Sequence, residues 1–126
     1  MHYKLIRTRD FVSAPNPNPG QRARLEILSK QDQAQSLNGI FGIIPASGRA
    51  RQPAYHYHKS RESIIQILSG NGIEMIEGQP VSLGPGDVIF IPPNVRHTLM
   101  NDSATEDLKY VEFYTPAGPD TVRVQE

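Results

Sequence analysis

Short strand-like runs separated by tight-turn sequences are the feature that most limits how this chain can fold. The clearest turns are Gly70-Asn71-Gly72, Glu77-Gly78-Gln79-Pro80 and Gly84-Pro85-Gly86-Asp87. Their residues suit either a positive φ or the fixed φ of proline, which tight turns require. The chain contains eleven prolines and ten glycines and shows no long helical period. The pattern therefore predicts many short strands and no helix.

Alternation of apolar and polar residues predicts nine strands. In the first of them, Ala23, Leu25 and Ile27 alternate with charged residues, so we expect a half-buried strand with these three side chains facing the core. The strands are predicted at residues 22–29, 39–45, 54–58, 63–68, 72–76, 81–83, 88–91, 97–101 and 108–115. Strands of this number and spacing fit an all-β, double-sheet jelly-roll barrel.

The chain is expected to form one domain over residues 1–126, since it shows no internal repeat. Residues 1–20 are predicted to form a strand or arm with a proline-rich loop, and residues 116–126 a loosely held tail. There is no cysteine, which excludes a disulfide framework and a thiolate metal site. Neither a membrane-spanning apolar run nor a signal-peptide core is visible, so we expect a cytoplasmic protein with no membrane partner. Equal numbers of acids and bases, 13 each, argue against a nucleic-acid partner.

Three of the four histidines fall where one metal ion can collect them. His56 and His58 are two residues apart, so on a strand their side chains point to the same face. His97 enters on another strand, directly after the Pro-Pro-Asn-Val-Arg turn at residues 92–96. Imidazole is a common ligand of zinc, iron, copper and nickel, and three imidazoles leave coordination positions open. The spacing therefore predicts a metal site formed by these three histidines.

The segment around His97 resembles the second motif of the cupin superfamily. That motif runs glycine, five residues, proline, one residue, glycine, two residues, histidine, three residues, asparagine. The matching positions here are Gly86, Pro92, Asn94, His97 and Asn101. Only the second glycine is replaced, by Asn94, and asparagine tolerates the left-handed backbone conformation well. Residues 56–70 resemble the first cupin motif, and the resemblance covers about residues 48–101.

The resemblance implies a double-stranded β-helix, the cupin form of the jelly roll, with one divalent transition metal ion per chain. Cupins usually supply a glutamate as a fourth ligand, at a fixed distance after the second histidine and before a glycine. Glu62 meets the first spacing only, whereas Ser63 meets both and has no carboxylate. Strand alternation turns Ser63 inward and Glu62 outward, unless a bulge reverses them. We expect a three-histidine site, with Glu62 as the alternative fourth ligand. Iron(II) or zinc is expected first, with nickel, copper and manganese as alternatives.

Basic residues flank the predicted metal site although the net charge of the chain is zero. If these loops rim the barrel mouth, they attract an anionic substrate and hold it through guanidinium groups. The residues proposed to bind substrate are Arg49, Arg51 and Arg96, and Lys59 and Arg61 add to the same positive charge.

On the last predicted strand, Tyr110, Glu112 and Tyr114 share one face, and Val111 and Phe113 share the other. We expect the polar face to be exposed. If it turns inward instead, Glu112 can bind the substrate or serve as an acid or base.

Two classes of function are consistent with these residues. The first is a small mononuclear metalloenzyme that acts on a carboxylate, keto acid or sugar acid in the barrel pocket. The resemblance to cupins implies a dioxygenase, decarboxylase, lyase or isomerase. The second is a barrel that binds a small molecule or metal without turnover. We favour the enzyme. The resemblance also implies a homodimer, with residues 1–12 as a strand that crosses to the partner.

Overall fold

Residues 3–46 and 54–124 are described by the computed structural model of this chain. Within them the chain forms ten strands, one short α-helix and one 3₁₀ turn. The helix is α1 (Arg9–Val12), the 3₁₀ turn is Lys30–Asp32, and the strands are β1 (Ala23–Leu28), β2 (Asn38–Ile44), β3 (His56–His58), β4 (Glu62–Ser69), β5 (Gly72–Ile76), β6 (Gln79–Leu83), β7 (Val88–Ile91), β8 (His97–Asn101), β9 (Leu108–Thr115) and β10 (Thr121–Arg123).

The strands form two five-stranded sheets. The first sheet has the order β1-β2-β9-β4-β7, and the second has the order β10-β3-β8-β5-β6. The prediction of an all-β, double-sheet fold is confirmed, and all nine predicted strands are present within three residues at each end. The expectation of no helix was wrong for two short segments, α1 and the 3₁₀ turn. In the described part of the chain, no helix is long and apolar enough to cross a membrane.

Two separate apolar cores stabilise the first sheet, one on each of its faces. The inner core lies between the two sheets and includes Ile65, Ile67 and Leu108. The outer core includes Phe41 and Val111, and the N-terminal segment packs against it. Burying a side chain of this size contributes about 1.5–3 kcal/mol. Strand β2 supplies side chains to both cores, which explains why it is buried on both faces.

The N-terminal segment lies on the outer face of the chain's own first sheet. It forms no strand between residue 3 and β1, contrary to one of the two alternatives predicted for it. Phe11 of α1 stacks on Phe41 with ring centroids 4.6 Å apart. The ammonium group of Lys109 donates to the carbonyl oxygens of Val12 and Ala14 at 2.9 and 2.7 Å. The apolar outer face of β2 and β9 requires a cover, and this segment provides it.

The C-terminal segment contains a strand, β10, where the sequence predicted a loosely held tail. Strand β10 pairs with β3 in antiparallel register, so that Thr121 lies opposite His58 and Arg123 opposite His56. Strand β10 has only three residues, which is too few for an alternating pattern to predict it. Its position matters for the site, because it brings Asp120 beside a histidine that lies more than sixty residues earlier in the sequence.

Candidate functional site

Three histidine rings meet on the inner face of the second sheet. His56 on β3 lies directly opposite His97 on β8, and His58 follows two residues later on β3. The centroid of the His56 ring is 4.4 Å from that of His97 and 5.1 Å from that of His58. One ring nitrogen from each residue lies within 4.8 Å of the other two. The two cupin-like motifs therefore come together as predicted, at a spacing that can hold one metal ion.

The turn before His97 joins the two motifs through the backbone. Asn94 has φ 66°, in the left-handed region, as expected for the residue that stands in place of glycine. Its backbone N–H donates to the carbonyl oxygen of His58 at 2.7 Å. This bond fixes the start of β8 against the end of β3 and so sets the distance between the histidines.

Hydrogen bonds orient two of the three imidazoles. Nδ1 of His97 bonds the carbonyl oxygen of Val95 at 2.9 Å, and Nδ1 of His58 bonds Oδ1 of Asp120 at 3.0 Å. Both acceptors require the proton on Nδ1, which leaves Nε2 free to bind a cation. Asp120 also accepts from the backbone amide of Arg61 at 2.9 Å, so its carboxylate is itself held in place.

The protonation state of His56 and His58 favours metal binding. Burial, with His97 and His58 as neighbours, lowers the pKa of His56 to about 4. Burial and the nearby Arg61 lower the pKa of His58. Both rings are therefore neutral at neutral pH and present lone pairs without competition from protons. Three converging imidazoles, two of them with their tautomers fixed by hydrogen bonds, fit a divalent transition metal ion.

Glu62 lies away from the cluster. It is the first residue of β4 and is exposed, whereas Ser63 is 1% exposed and points inward with Ile65 and Ile67. No bulge turns Glu62 inward, since β4 pairs in unbroken register with β9 from Glu62 to Ile67. The geometry thus matches the three-histidine alternative, without the carboxylate that cupins usually supply.

An open cavity adjoins the histidines on the inner side of the barrel. The empty space between its lining residues is about 520 Å³, open solvent at its mouth included. Its charged lining consists of three arginines and two glutamates: Arg22, Arg24, Arg61, Glu74 and Glu112. Ile44, Ile65, Leu99 and Tyr110 supply most of the apolar wall.

The arginines that line the cavity are not those proposed from the sequence. Arg96 is exposed and lies outside the cavity lining. Arg49 and Arg51 lie outside the described residues. Instead, the cavity is lined by Arg22, which directly precedes β1, and by Arg24 on the polar face of β1.

The apolar face of β1 packs outward, under the N-terminal segment, and this turns its arginines toward the barrel opening. Ala23 and Ile27 are buried in the outer core as predicted, but Leu25 is 45% exposed. The signal in the sequence was the alternation itself. Alternation separates the two faces of this strand but does not say which of them turns toward the cavity.

Arg61 is held by its neighbours in the lining of the cavity, beside the histidines. Its guanidinium carbon lies 3.9 Å from the centre of the Tyr114 ring, and Nη2 donates to the carbonyl oxygen of Gly118 at 2.8 Å. Its Nε lies 3.5 Å from Asp120, the carboxylate that orients His58. The positive charge of Arg61 is therefore placed beside the metal site by stacking and hydrogen bonding.

The polar face of β9 turns inward, so the expectation that it is exposed was wrong. Tyr110 is 5% exposed and Glu112 is 9% exposed, and both line the cavity. The reason is the outer core, because Val111 and Phe113 pack outward beneath the N-terminal segment. Glu112 thus meets the geometric condition for a substrate-binding residue.

Glu74 on β5 is a cavity-lining residue that the sequence reasoning missed. It is fully buried, and it faces the same cavity as Glu112. Burial and the charge of Glu112 raise the pKa of Glu74 to about 8. The available signal was a single acid flanked by Ile73 and Met75, in a strand whose alternate positions face the barrel interior.

Comparison with known proteins places this site in a family. A family model described as "Cupin domain" matches residues 45–114, which include all three histidines. An uncharacterized protein of Aquifex aeolicus is 33% identical over 117 residues, which is 93% of this chain and 92% of that protein. The fold resembles that of a conserved double-stranded β-helix protein from Klebsiella pneumoniae, with a TM-score of 0.71 and 18% identity over 98% of this chain and 100% of that one.

A partial match links the motif region to an enzyme. Acireductone dioxygenase of Bacillus subtilis is 42% identical over 53 residues, which is 36% of this chain and 30% of that enzyme. The chain therefore matches about a third of the length of this relative.

Proposed function

The chain belongs to the cupin domain family, and from that premise we propose that it is a metal-dependent enzyme acting on a small anionic metabolite. The observation that carries the proposal is the cluster of three imidazoles beside an open cavity lined by arginines. Because imidazole ligands add no negative charge and the cluster contains no carboxylate, the full positive charge of a bound metal ion remains available to an anionic ligand. The sequence match to acireductone dioxygenase supports an enzymatic use of such a site.

The proposed ligands of the ion are His56, His58 and His97, and we propose iron(II) or zinc as the ion, followed by nickel, copper and manganese. When bound, such an ion supplies a Lewis-acid centre with open coordination positions. Asp120 keeps the proton of His58 on Nδ1, so that the opposite nitrogen points into the cluster. The backbone of Val95 does the same for His97.

The cavity lining positions the substrate. Arg22 and Arg24 are exposed at the opening and attract an anion from solvent, while Arg61 lies deeper beside the histidines. A guanidinium group can hold a carboxylate through two parallel hydrogen bonds. The apolar wall, which includes Ile65 and Leu99, limits water around the bound metabolite and strengthens these interactions.

Metal analysis of purified protein and matched variants tests the proposal. We expect about one transition metal ion per wild-type chain. His58→Ala and His97→Ala each remove one ligand and should lose most of the metal. Glu62→Gln is the matched control and should retain it, because Glu62 lies outside the cluster. Metal content that survives both histidine substitutions would contradict the site assignment.

Turnover separates the enzyme from a barrel that only binds its ligand. The metal-loaded protein should consume oxygen or convert substrate when it is screened against small hydroxy acids, keto acids and sugar acids. The match to acireductone dioxygenase makes oxygen uptake the first assay. A protein that holds metal and binds these acids without converting any of them would instead support the non-catalytic alternative.

A further inference from the structure

Glu74 has a hydrogen-bonding requirement that the described protein residues do not meet. Both carboxylate oxygens are buried, and neither has a hydrogen-bond partner among residues 3–46 and 54–124. Burying a carboxylate without partners costs several kcal/mol, so nearly all buried polar groups in proteins are paired. Since Glu74 lines the cavity, the partner it requires can come from whatever the cavity holds.

The two acids and the exposed arginines occupy different parts of the cavity. Arg22 and Arg24 are exposed, whereas Glu112 is 9% exposed and Glu74 is fully buried. The acids come from opposite walls, because Glu74 lies on the second sheet and Glu112 on the first. Within the described ranges, neither acid forms an ion pair with an arginine, since the only acids in ion pairs are Asp32 and Asp120.

This separation of charge restricts the ligand. A carboxylate group on the ligand is attracted by Arg22 and Arg24, whereas burying it beside Glu74, away from these cations, would cost it its hydration. The part of the ligand that reaches Glu74 should therefore be uncharged, and it must offer hydrogen bonds to the two unpaired oxygens of Glu74. A hydroxyl group fits whichever protonation state Glu74 adopts, because it both donates and accepts. A ketone oxygen only accepts, and a methyl group does neither.

We propose that the pocket selects a small acid that also carries a hydroxyl group, with that hydroxyl bonded to Glu74. This inference rests on the proposed function, which brings an anionic metabolite into the cavity, and it narrows the substrate class from acids in general to hydroxy acids. The acid group lies toward Arg22 and Arg24, and the hydroxyl lies toward the buried end.

Calorimetric titration of zinc-loaded protein with two acids of equal carbon number tests the inference. Glycerate carries two hydroxyl groups, and propionate carries none. A hydrogen bond to a charged or buried acid makes a net contribution that corresponds to about tenfold or more in affinity. We expect wild-type protein to bind glycerate at least about tenfold more tightly than propionate.

The substitution Glu74→Leu separates this hydrogen bond from coordination of the hydroxyl by zinc. It removes the acceptor and keeps a side chain of similar size, so the ratio of the two affinities should fall close to one. Glu74→Gln retains both a donor and an acceptor and should keep part of the preference. Glu62→Gln, an exposed carboxylate outside the cavity, is the control and should leave the ratio unchanged.

Four results overturn the inference, and they differ in what else they imply. Equal binding of both acids by wild type, or an unchanged ratio in Glu74→Leu, removes the role of Glu74 but leaves an anion site. If Glu74→Leu loses zinc while Glu62→Gln retains it, Glu74 instead supports the metal site. Failure of metal-loaded wild type to bind either acid removes the inference together with the anionic substrate of the proposed function.

Discussion

The stability of the metal-free Glu74→Gln variant, relative to that of wild type, should increase as the pH rises. In the folded protein, burial and the charge of Glu112 raise the pKa of Glu74 from 4.5 to about 8. The unfolded chain therefore releases this proton at a lower pH than the folded chain does. Glutamine has a similar shape and no ionisable group, so the variant escapes this cost.

The size and pH range of the effect follow from the two pKa values. One pKa unit corresponds to about 1.36 kcal/mol, so the rise to about 8 sets an upper bound on the order of 5 kcal/mol. Because the folded-state pKa lies above the unfolded value, Glu74 adds no such cost below about pH 4.5. The cost grows between about pH 4.5 and 8 and is constant at higher pH.

Urea unfolding at about pH 5, 6.5 and 8.5 measures this effect. The free energy of unfolding of Glu74→Gln, minus that of wild type, should increase by several kcal/mol from the lowest to the highest pH. The amide has its own unpaired atoms, and their cost of about 1–3 kcal/mol shifts the whole difference without changing its slope. Glu62→Gln, which removes an exposed carboxylate, should follow wild type. A Glu74→Gln difference that is the same at all three pH values would refute the reasoning.

Three further predictions concern the metal, the substrate and the assembly. Asp120→Ala removes the acceptor that orients His58 and should weaken metal binding by about 10- to 100-fold, as measured by competition with a chelator; unchanged affinity would contradict the orienting role. The double substitution Arg22→Ala with Arg24→Ala should weaken glycerate binding and reduce its dependence on salt while metal content stays constant; equal binding at low salt would exclude these arginines. The expected homodimer should appear in light scattering at twice the chain mass, and a monomer would contradict it. If the dimer forms through the outer face of β7, where Phe90 is 53% exposed, Phe90→Asp should dissociate it.

The histidine cluster could be predicted from the sequence because its determinants are local. The two-residue spacing of His56 and His58 fixes a shared strand face, and the turn with Asn94 fixes where His97 enters. Ser63 was placed inward by alternation alone, and the structure agrees. Each of these inferences depends only on residues that are close together in the chain.

The cavity lining could not be predicted, because it depends on which face of a strand has a second partner. Alternation divides β1 and β9 correctly into two faces, but it does not say which face turns toward the barrel. The N-terminal segment covers the apolar faces from outside, so Arg24 and Glu112 turn toward the cavity. Asp120 was missed for a different reason, since its partner His58 lies 62 residues away and the strand that places it is only three residues long.

X-ray absorption spectroscopy at the absorption edge of the bound metal tests the three-histidine site most directly. The metal-loaded wild-type protein should show three imidazole nitrogens at about 2.0–2.1 Å from the metal, with only oxygen ligands in the remaining positions. His97→Ala, loaded with the same metal to whatever extent it binds, should show at most two imidazoles, and Glu62→Gln should match wild type. A wild-type spectrum with fewer than three imidazoles, or a spectrum of Glu62→Gln that has lost a carboxylate ligand, would contradict the account.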